Sequence, residues 1–559
     1  MRKLKPLPPD IAGGFDVKPT HLYFASYTLR NSHYDFSDQS LRLLEQLEMH
    51  EHAGGVGSGP EAFASAYAKV AIRFLQVWDK AAVGVGGAAV GLTATANHYM
   101  DAEYRTHPVP GPSPKQPLPH VMTKPSSCRP VPELGWGNPP EESGWGNDIL
   151  NAVVAGLGSV GGALLSPIFK YVLRHGKVAD ITPGGDDLTL PKIADAWRQA
   201  RTAAKKSANE FDDALSYITD SASGHSEWQD AMKQFCGSIW GTTAWGQERA
   251  GHKWGHKDGQ KPALDVLMDT AGEVATACDH FSTAVTRVRS VIEDVYIESG
   301  KKTFEVNDFF DLLSLGGGPA EYAAEFIANL DTGRLNHGVD VYNESVQALA
   351  DNLSKLLEPL EEAHTSIPTY AAQEARAEAF GARSLNEFKE KHHYTVPGED
   401  PKDHFYPLDL AGQEGIHGSH GVDKHIGLTD GQLAQRMRDQ SNAPSASAYK
   451  DLASAQRFTQ AALDDIDNAD RVEKWIEKVE KKSKNNPNWD PSGSKLSPAL
   501  TLTFNETTGR TVTRDDYDAQ GMNAAASNVS SVQVALRYKP GIDPPFVVVT
   551  SYPVPDPPP

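Results

Sequence analysis

Apolar residues recur along the first two thirds of the chain at alternating steps of three and four positions. Four runs carry this spacing: Phe63, Tyr67, Val70, Phe74, Val77 and Ala81; Ile193, Trp197, Ala200, Ala204, Phe211, Leu215 and Ile218; Val274, Cys278, Phe281, Val285, Val288, Ile292 and Val295; and Val346, Leu349, Leu353, Leu356 and Leu360. A narrow apolar stripe of this period is typical of a long helix that packs along one seam. The pattern predicts long antiparallel helical hairpins rather than a compact α/β enzyme.

The pattern changes near residue 400, where the sequence predicts a separate α+β domain. One helix is predicted over 429–440, opening with a capping box of Thr429 and Gln432, and another over 451–484. Apolar and polar positions then alternate over 500–504 and 532–538, and residues 546–552 are strongly β-branched, so these three stretches predict strands. Surface loops are expected at 485–495 and 515–530, and the proline-rich tail from Pro553 is not expected to join a sheet. Helices followed by antiparallel strands indicate an α+β architecture.

Composition divides the chain into four regions. Residues 1–105 and 149–395 are helical by their period, and residues 106–148 between them are rich in proline and glycine, which predicts an extended linker. Residues 400–559 hold the α+β domain. The predicted fold class is multidomain, with all-α helical hairpins and bundles over the amino-terminal two thirds and an α+β domain at the carboxyl end.

Charge and cysteine usage exclude several classes of protein. The net charge of −20 argues against general adhesion to nucleic acid or to anionic membranes, although a local site can still be positive. Residues 401–559 contain 17 Lys and Arg against 21 Asp and Glu, so any affinity for RNA has to come from a confined cleft. The cysteines Cys128, Cys236 and Cys278 are too few and too scattered for a disulfide framework or a structural zinc site. Cys278 lies on an apolar stripe and is expected to be buried.

The chain shows no conventional secretory signal, because the basic amino-terminal segment is not followed by an apolar stretch. Residues 149–169 are nearly uncharged and long enough to span a bilayer, but they contain Asn151, Pro167 and several glycines. We expect a small-residue helical or flexible segment there, with membrane insertion as the alternative.

The densest cluster of titratable side chains lies at 415–427, and three interpretations apply to it. His417, His420 and His425 have spacings that could serve a metal, but the segment is rich in glycine and no complete ligand motif accompanies them. The histidines could also make ordinary hydrogen bonds in a loop. The third interpretation is general acid–base catalysis, since a histidine titrates near neutral pH.

Several short motifs in order favour the third interpretation. The pattern is His420-x4-His425-Ile426-Gly427, then a helix that carries Arg436, and then the closing strand Val549-Thr550-Ser551-Tyr552-Pro553. Over about 410–555 the sequence resembles the ribonuclease A-like toxin domains of bacterial polymorphic and contact-dependent inhibition systems. This resemblance implies a catalytic set of His425, Arg436, Thr550 and Tyr552. It implies no metal and no cofactor.

The chemistry of RNA cleavage agrees with this grouping. Thr550 and Tyr552 are two positions apart on a predicted strand, so their side chains leave the same face. The reaction needs the 2′-hydroxyl deprotonated, the 5′-oxygen protonated and the charge on the phosphorane stabilised. An imidazole can move a proton, and a guanidinium offers two aligned donors to phosphate oxygens. Pancreatic-type ribonucleases use two histidines and a lysine, whereas only one histidine is matched here, so His420 and Lys424 are auxiliary candidates for the second proton carrier.

The amino-terminal helices are similar to the WXG-type helical hairpins that Gram-positive bacteria export by type VII secretion. The long apolar stripes carry this resemblance, together with Tyr99 and Glu103, which match the Tyr-x-x-x-Asp/Glu export signal that follows such a hairpin. A strict Trp-x-Gly turn between two helices is missing. Residues 1–105 are therefore expected to form a WXG-like export domain and 149–395 a trafficking bundle, with a contractile injection particle as the alternative route.

Together these features predict a modular antibacterial effector with a metal-independent endoribonuclease at its carboxyl end. The expected product is a 2′,3′-cyclic phosphate. The expected partners are RNA, with tRNA as one candidate, a cognate immunity protein, the secretion or injection machinery, and a helical partner for export. The protein would be secreted or injected and act in the cytoplasm of the target cell. The rival hypotheses are a non-enzymatic helical adaptor and a metal-dependent nuclease that uses His417, His420 and His425.

Overall fold

The structure is a computed structural model of the chain. It describes residues 19–50, 53–106, 114–123, 149–156, 175–182, 184–219, 261–303, 319–367, 396, 399–413, 419 and 421–556. We refer to residues 19–367 as the helical half and to residues 399–556 as the C-terminal domain.

The helical half is built from long helices. Their bounds are α1 Pro19–Glu48, α2 Ser58–Thr106, α3 Leu190–Thr219, α4 Ala263–Thr303, α5 Pro319–Ala328, α6 Thr332–Ser354 and α7 Leu357–Ser366. Residues 149–156 are also helical, and Gly176–Ile181 form a 3-10 helix. The long helices that the apolar stripes predict are confirmed.

The predicted stripes face a common hydrophobic core. Trp197 packs edge-on against Phe74, with ring centroids 5.0 Å apart, and Phe63 lies 4.8 Å from Phe281. These aromatic side chains are buried, and so is Cys278, as its place in the stripe predicts. Helices from both sides of the proline-rich segment therefore share one core. The domain boundaries at 105 and 149 stay a prediction, and Cys128 and Cys236 lie outside the described residues.

No helix within the described residues contains a stretch long and apolar enough to cross a bilayer. Residues 149–156 are helical, whereas the rest of the 149–169 stretch lies outside the described residues. Of the predicted export signal, Tyr99 lies on α2 and is buried in the core. The side chain of Glu103, on the same helix, lies outside what is described, and its export role stays a prediction.

The C-terminal domain combines short helices with two antiparallel sheets. Its helices are α8 Leu410–Gln413, α9 Gly421–His425, α10 Asp430–Asp439, α11 Leu452–Asp464, α12 Ile466–Asn485 and α13 Arg514–Gln520. Its strands are β1 Ser445–Tyr449, β2 Leu500–Thr503, β3 Gly509–Thr513, β4 Ser527–Val529, β5 Ser531–Tyr538 and β6 Phe546–Val554. The strand orders are β1-β3-β4 and β2-β5-β6. The predicted fold class, long helices followed by an α+β domain, is confirmed.

Four local predictions need correction. The helix predicted over 451–484 is two helices, because the chain turns at Asp465, whose carboxylate caps the start of α12. The loop predicted at 515–530 contains α13 and β4, and β1 and β3 were not predicted at all. The tail does join a sheet, since Pro553 pairs with Val532. β6 is an edge strand, so a residue without an N–H is tolerated there.

The C-terminal domain contacts the helical half through α10 and α7. Gln432 donates a hydrogen bond from Nε2 to the carbonyl of Ile367, and Nη2 of Arg438 lies 3.7 Å from Oε1 of Glu362. A cavity of about 940 Å³ lies beside this contact, and Lys80 of α2 lines it. The helical half therefore contacts α10, the helix that carries Arg436, directly.

Candidate active site

His425 is the last residue of α9, and a glycine turn fixes the chain just beyond it. Gly427 has a φ of +65°, a conformation that favours glycine. Its N–H donates to the carbonyl of Tyr449 at 2.9 Å, and Ile426 and Tyr449 form an isolated parallel β-bridge. Ile426 is fully buried, so it anchors the turn in the core. The His-Ile-Gly sequence therefore attaches the end of α9 to β1.

The imidazole of His425 is oriented by the neighbouring strand. Its Nδ1 lies 3.1 Å from the carbonyl oxygen of Ser447 on β1, and the side chain is buried. Because a carbonyl oxygen can only accept, this bond places the proton on Nδ1. Nε2 then carries the lone pair, which is the form of the ring that can accept a proton.

Arg436 reaches the histidine from α10. This helix begins with the predicted capping box, in which Thr429 and Gln432 cap each other's backbone N–H groups. Nη1 of Arg436 donates to the carbonyl of Lys424 at 2.8 Å and lies 3.4 Å from Nδ1 of His425. Since Nδ1 donates to Ser447, we interpret the longer distance as a close approach that places the cation beside the ring.

The closing strand β6 supplies the remaining two side chains. Tyr552 lies opposite Gln533 and Thr550 opposite Ala535, and a β-bulge follows directly between Thr550 and Val548. Bulges change the direction of neighbouring side chains and are over-represented next to active sites. Thr550 and Tyr552 share one face of the sheet, as the sequence predicts, whereas Ser551 points to the other.

The phenol ring of Tyr552 lies against the imidazole of His425. The ring centroids are 5.0 Å apart and the planes are 20° from parallel. Burial raises the pKa of Tyr552, and the nearby Arg436 opposes that rise. The hydroxyl therefore remains a hydrogen-bond donor throughout the neutral range.

Thr550 carries a hydroxyl that the described residues around it do not use. Its Oγ1 is buried, and within the described residues it has no hydrogen-bond partner. Burying a hydroxyl without a partner costs free energy, and a ligand that completes the hydrogen bond is one way to offset that cost. By contrast, Oγ of Ser551 lies 2.7 Å from both the Tyr449 hydroxyl and Oγ1 of Thr459. Ser551 thus anchors β6 to β1 and α11 on the face of the sheet opposite Thr550.

Of the predicted site residues, His425 contacts both Arg436 and Tyr552, and Thr550 lies on the same face as Tyr552. The auxiliary candidate Lys424 has an exposed side chain and contributes only its carbonyl, to Arg436. His417 and His420 lie outside the described residues. Within the described part of the chain, no group of three or more His, Cys, Asp or Glu side chains is placed to hold a metal ion.

Sequence reasoning missed the residues that support the site. The carbonyl of Ser447 and the hydroxyl network around Ser551 belong to strands β1 and β6, which are about a hundred residues apart in sequence. No motif indicates a backbone carbonyl, and β1 consists mainly of serine and alanine, which do not mark a strand. These supporting groups could have been found only if β1 had first been predicted as a strand.

Comparison with known families agrees with this geometry. Residues 419–553 match the family model of the bacterial CdiA-CT RNAse A domain, and all four predicted catalytic residues fall within this range. The chain matches none of the curated proteins and none of the solved structures with which it was compared. The family match supports a ribonuclease toxin domain at the carboxyl end of the chain.

Proposed function

We propose that this protein is a secreted antibacterial effector whose C-terminal domain cleaves RNA without a metal ion. The proposal includes the predicted division into an export domain at 1–105, a linker at 106–148, a trafficking bundle at 149–395 and a toxin domain at 400–559. The observation that carries it is that His425 lies 3.4 Å from Arg436 and stacks on Tyr552, while the Thr550 hydroxyl on the same sheet face as Tyr552 has no partner within the described residues.

Each side chain has a role in this proposal. His425 accepts the proton of the 2′-hydroxyl at Nε2, because the bond to Ser447 keeps Nδ1 protonated. The 2′-oxygen attacks phosphorus, the bond to the 5′-oxygen breaks, and a 2′,3′-cyclic phosphate results. Arg436 stabilises the negative charge that develops on the phosphorane. The hydroxyls of Thr550 and Tyr552 donate to its non-bridging oxygens.

The second proton transfer is assigned to an auxiliary group. The 5′-oxygen must take up a proton as it leaves, and His420 and Lys424 are the candidates. Lys424 lies next to the site in sequence and has an exposed side chain, which leaves it free to reorient towards bound RNA. Because the mechanism begins at the 2′-hydroxyl, DNA is a poor substrate.

The predicted partners follow from the toxin assignment. A chain that cleaves RNA endangers the cell that makes it, so a cognate immunity protein is expected to cover the site around His425. The long helices, with Tyr99 and Glu103 on α2, support export by a type VII system, and a contractile injection particle is the alternative. In either case the domain acts in the cytoplasm of the target cell.

The test uses the full-length chain incubated with total RNA, with and without EDTA, alongside the His425→Ala variant. We expect cleavage that persists in EDTA, products that end in a 2′,3′-cyclic phosphate, and no cleavage by the variant at an unchanged melting temperature. Cleavage that EDTA abolishes would instead support the metal site at His417, His420 and His425. No cleavage by the wild type would favour the non-enzymatic adaptor, and full activity of His425→Ala would overturn the assigned site.

A further inference from the structure

The sheet face that carries Thr550 and Tyr552 continues beyond them as a row of uncharged polar side chains. In strand register, Gln533 of β5 lies directly opposite Tyr552, and Thr501 of β2 lies directly opposite Gln533. Directly opposed residues of antiparallel strands have side chains on the same face, with Cβ atoms about 5 Å apart. The row Tyr552–Gln533–Thr501 therefore crosses the whole sheet.

This row lies on the open face of the sheet. Along β5, Val532, Val534 and Leu536 are buried in the core, whereas the alternate residues Gln533 and Ala535 are half-exposed. Thr501 is exposed on β2. Beside Thr550 the register places Ala535, whose small side chain leaves space next to the site.

Gln533 differs from the structural glutamines of the same domain. Gln413, Gln456 and Gln460 each bond a backbone N–H through Oε1, at 2.8 to 3.0 Å. The carboxamide of Gln533 makes no hydrogen bond within the described residues, although the side chain is half-buried beside Tyr552. An amide at a sheet face that has no partner among the described residues offers an acceptor oxygen and two donors to a ligand.

Cations lie at one end of the same face. Arg537 is two positions beyond Ala535 on β5. An isolated antiparallel β-bridge of the backbone places Lys495 opposite it. The row itself contains no carboxylate. The middle of the row can therefore hydrogen-bond an uncharged group that carries donors and acceptors. Arg436, together with Arg537 and Lys495 at the end of the face, can bind phosphates.

We propose that Gln533 hydrogen-bonds the base of the nucleotide that adjoins the scissile phosphate, and that the RNA strand crosses the sheet along Tyr552, Gln533 and Thr501. The inference rests on the proposed ribonuclease function and adds a determinant of base specificity to it. A carboxamide can pair with the edge of an unstacked base, which is how single-stranded RNA is usually read. Gln533 is a specificity residue here and takes no part in the proton transfers.

The test compares the full-length wild type with Gln533→Ala on short RNA substrates that differ only in the base on either side of the cleaved bond. The expected result is a loss of about fivefold or more in kcat/KM for the preferred base and little change for the others, so that the ranking of bases flattens. Gln533→Glu, which keeps an acceptor and loses the donors, is expected to change which base is preferred. Gln520→Ala is the matched control, since Gln520 is exposed on α13 and belongs to none of the strands β2, β5 and β6.

A wild-type ranking in Gln533→Ala would overturn the inference while leaving the ribonuclease function intact. A binding measurement covers the case in which the wild type cuts no RNA. Fluorescence anisotropy with 2′-fluoro oligonucleotides of single base composition, which lack the attacking hydroxyl, reports base preference without cleavage. Loss of that preference in Gln533→Ala supports the inference, and equal preference in the two proteins overturns it.

Discussion

The imidazole of His425 stacks on the phenol ring of Tyr552, with centroids 5.0 Å apart and planes 20° from parallel. The two residues come from the end of a short helix and from the edge strand of a sheet, and the carbonyl of Ser447 fixes the imidazole at Nδ1. Tyr552 therefore has two separable contributions: its ring restricts the orientation of His425, and its hydroxyl is available to the substrate.

Substitution of Tyr552 separates these contributions. Tyr552→Phe keeps the stacked ring and removes the hydroxyl, so we expect kcat for RNA cleavage to fall about 10- to 100-fold with little change in KM. Tyr552→Ala removes both, and we expect a larger fall. Steady-state kinetics on a short RNA would measure this, and equal activities for the two variants would show that the ring does not position His425.

Thr550 and Ser551 are adjacent residues with opposite expected behaviour. Thr550→Val removes a buried hydroxyl that has no partner within the described residues, so we expect an unchanged or higher melting temperature together with a fall in kcat. Ser551→Val is the matched control, because it removes the hydrogen bonds of Ser551 Oγ to the buried hydroxyls of Tyr449 and Thr459. We expect it to lower the free energy of unfolding by about 1–3 kcal/mol.

Thermal unfolding and RNA cleavage, measured on both variants, check this pair. A marked loss of stability in Thr550→Val would mean that its hydroxyl has a structural partner. Full activity in the same variant would remove Thr550 from the proposed catalytic set.

Arg436 is expected not to tolerate replacement by lysine. A guanidinium can donate to the Lys424 carbonyl and still present aligned donors to a phosphate, whereas an ammonium is a single compact charge. We expect Arg436→Lys to lose more than about tenfold in kcat/KM despite its conserved charge. Arg438→Lys, on the same helix, is the control, and equal losses in the two variants would count against a specific role for Arg436.

Lys80, which lines the cavity between the two parts of the chain, is expected to make the free energy of unfolding depend on pH. It is buried on α2 and donates to the carbonyl of His364, and burial lowers its pKa from 10.5 to about 7, although Glu361 opposes this change. Between these two pH values the unfolded chain binds a proton that the folded chain does not, so stability rises with pH across this window. In Lys80→Met this dependence is absent.

We therefore expect Lys80→Met to gain most in melting temperature over the wild type near pH 7, and the gain to shrink as pH rises towards 10. Lys69→Met, which replaces an exposed lysine on the same helix, is the control and should show no such trend. A difference between Lys80→Met and the wild type that stays constant with pH would contradict the lowered pKa of Lys80.

Local patterns predicted a large part of this fold. The three-four stripes identified the long helices because helical period is a property of neighbouring residues. The alternation around Val534 identified β5 and the β-branched run around Val548 identified β6 for the same reason. The break at Asp465 was missed because apolar residues continue on both sides of it. β1 and β3 were missed because each is only five residues long, SASAY is mostly serine and alanine, and GRTVT contains a single apolar side chain.

The sequence by itself determined the helical and α+β parts of the chain and the identities of His425, Arg436, Thr550 and Tyr552 as candidates. Only the tertiary structure decided that helices on both sides of the proline-rich segment share a core, that Ser447 sets the tautomer of His425, and that Gln533 lies opposite Tyr552. The physical reason is the range of the interactions. Helix and strand periods arise between residues a few positions apart, whereas strand register and ring contacts arise from packing between segments far apart in sequence.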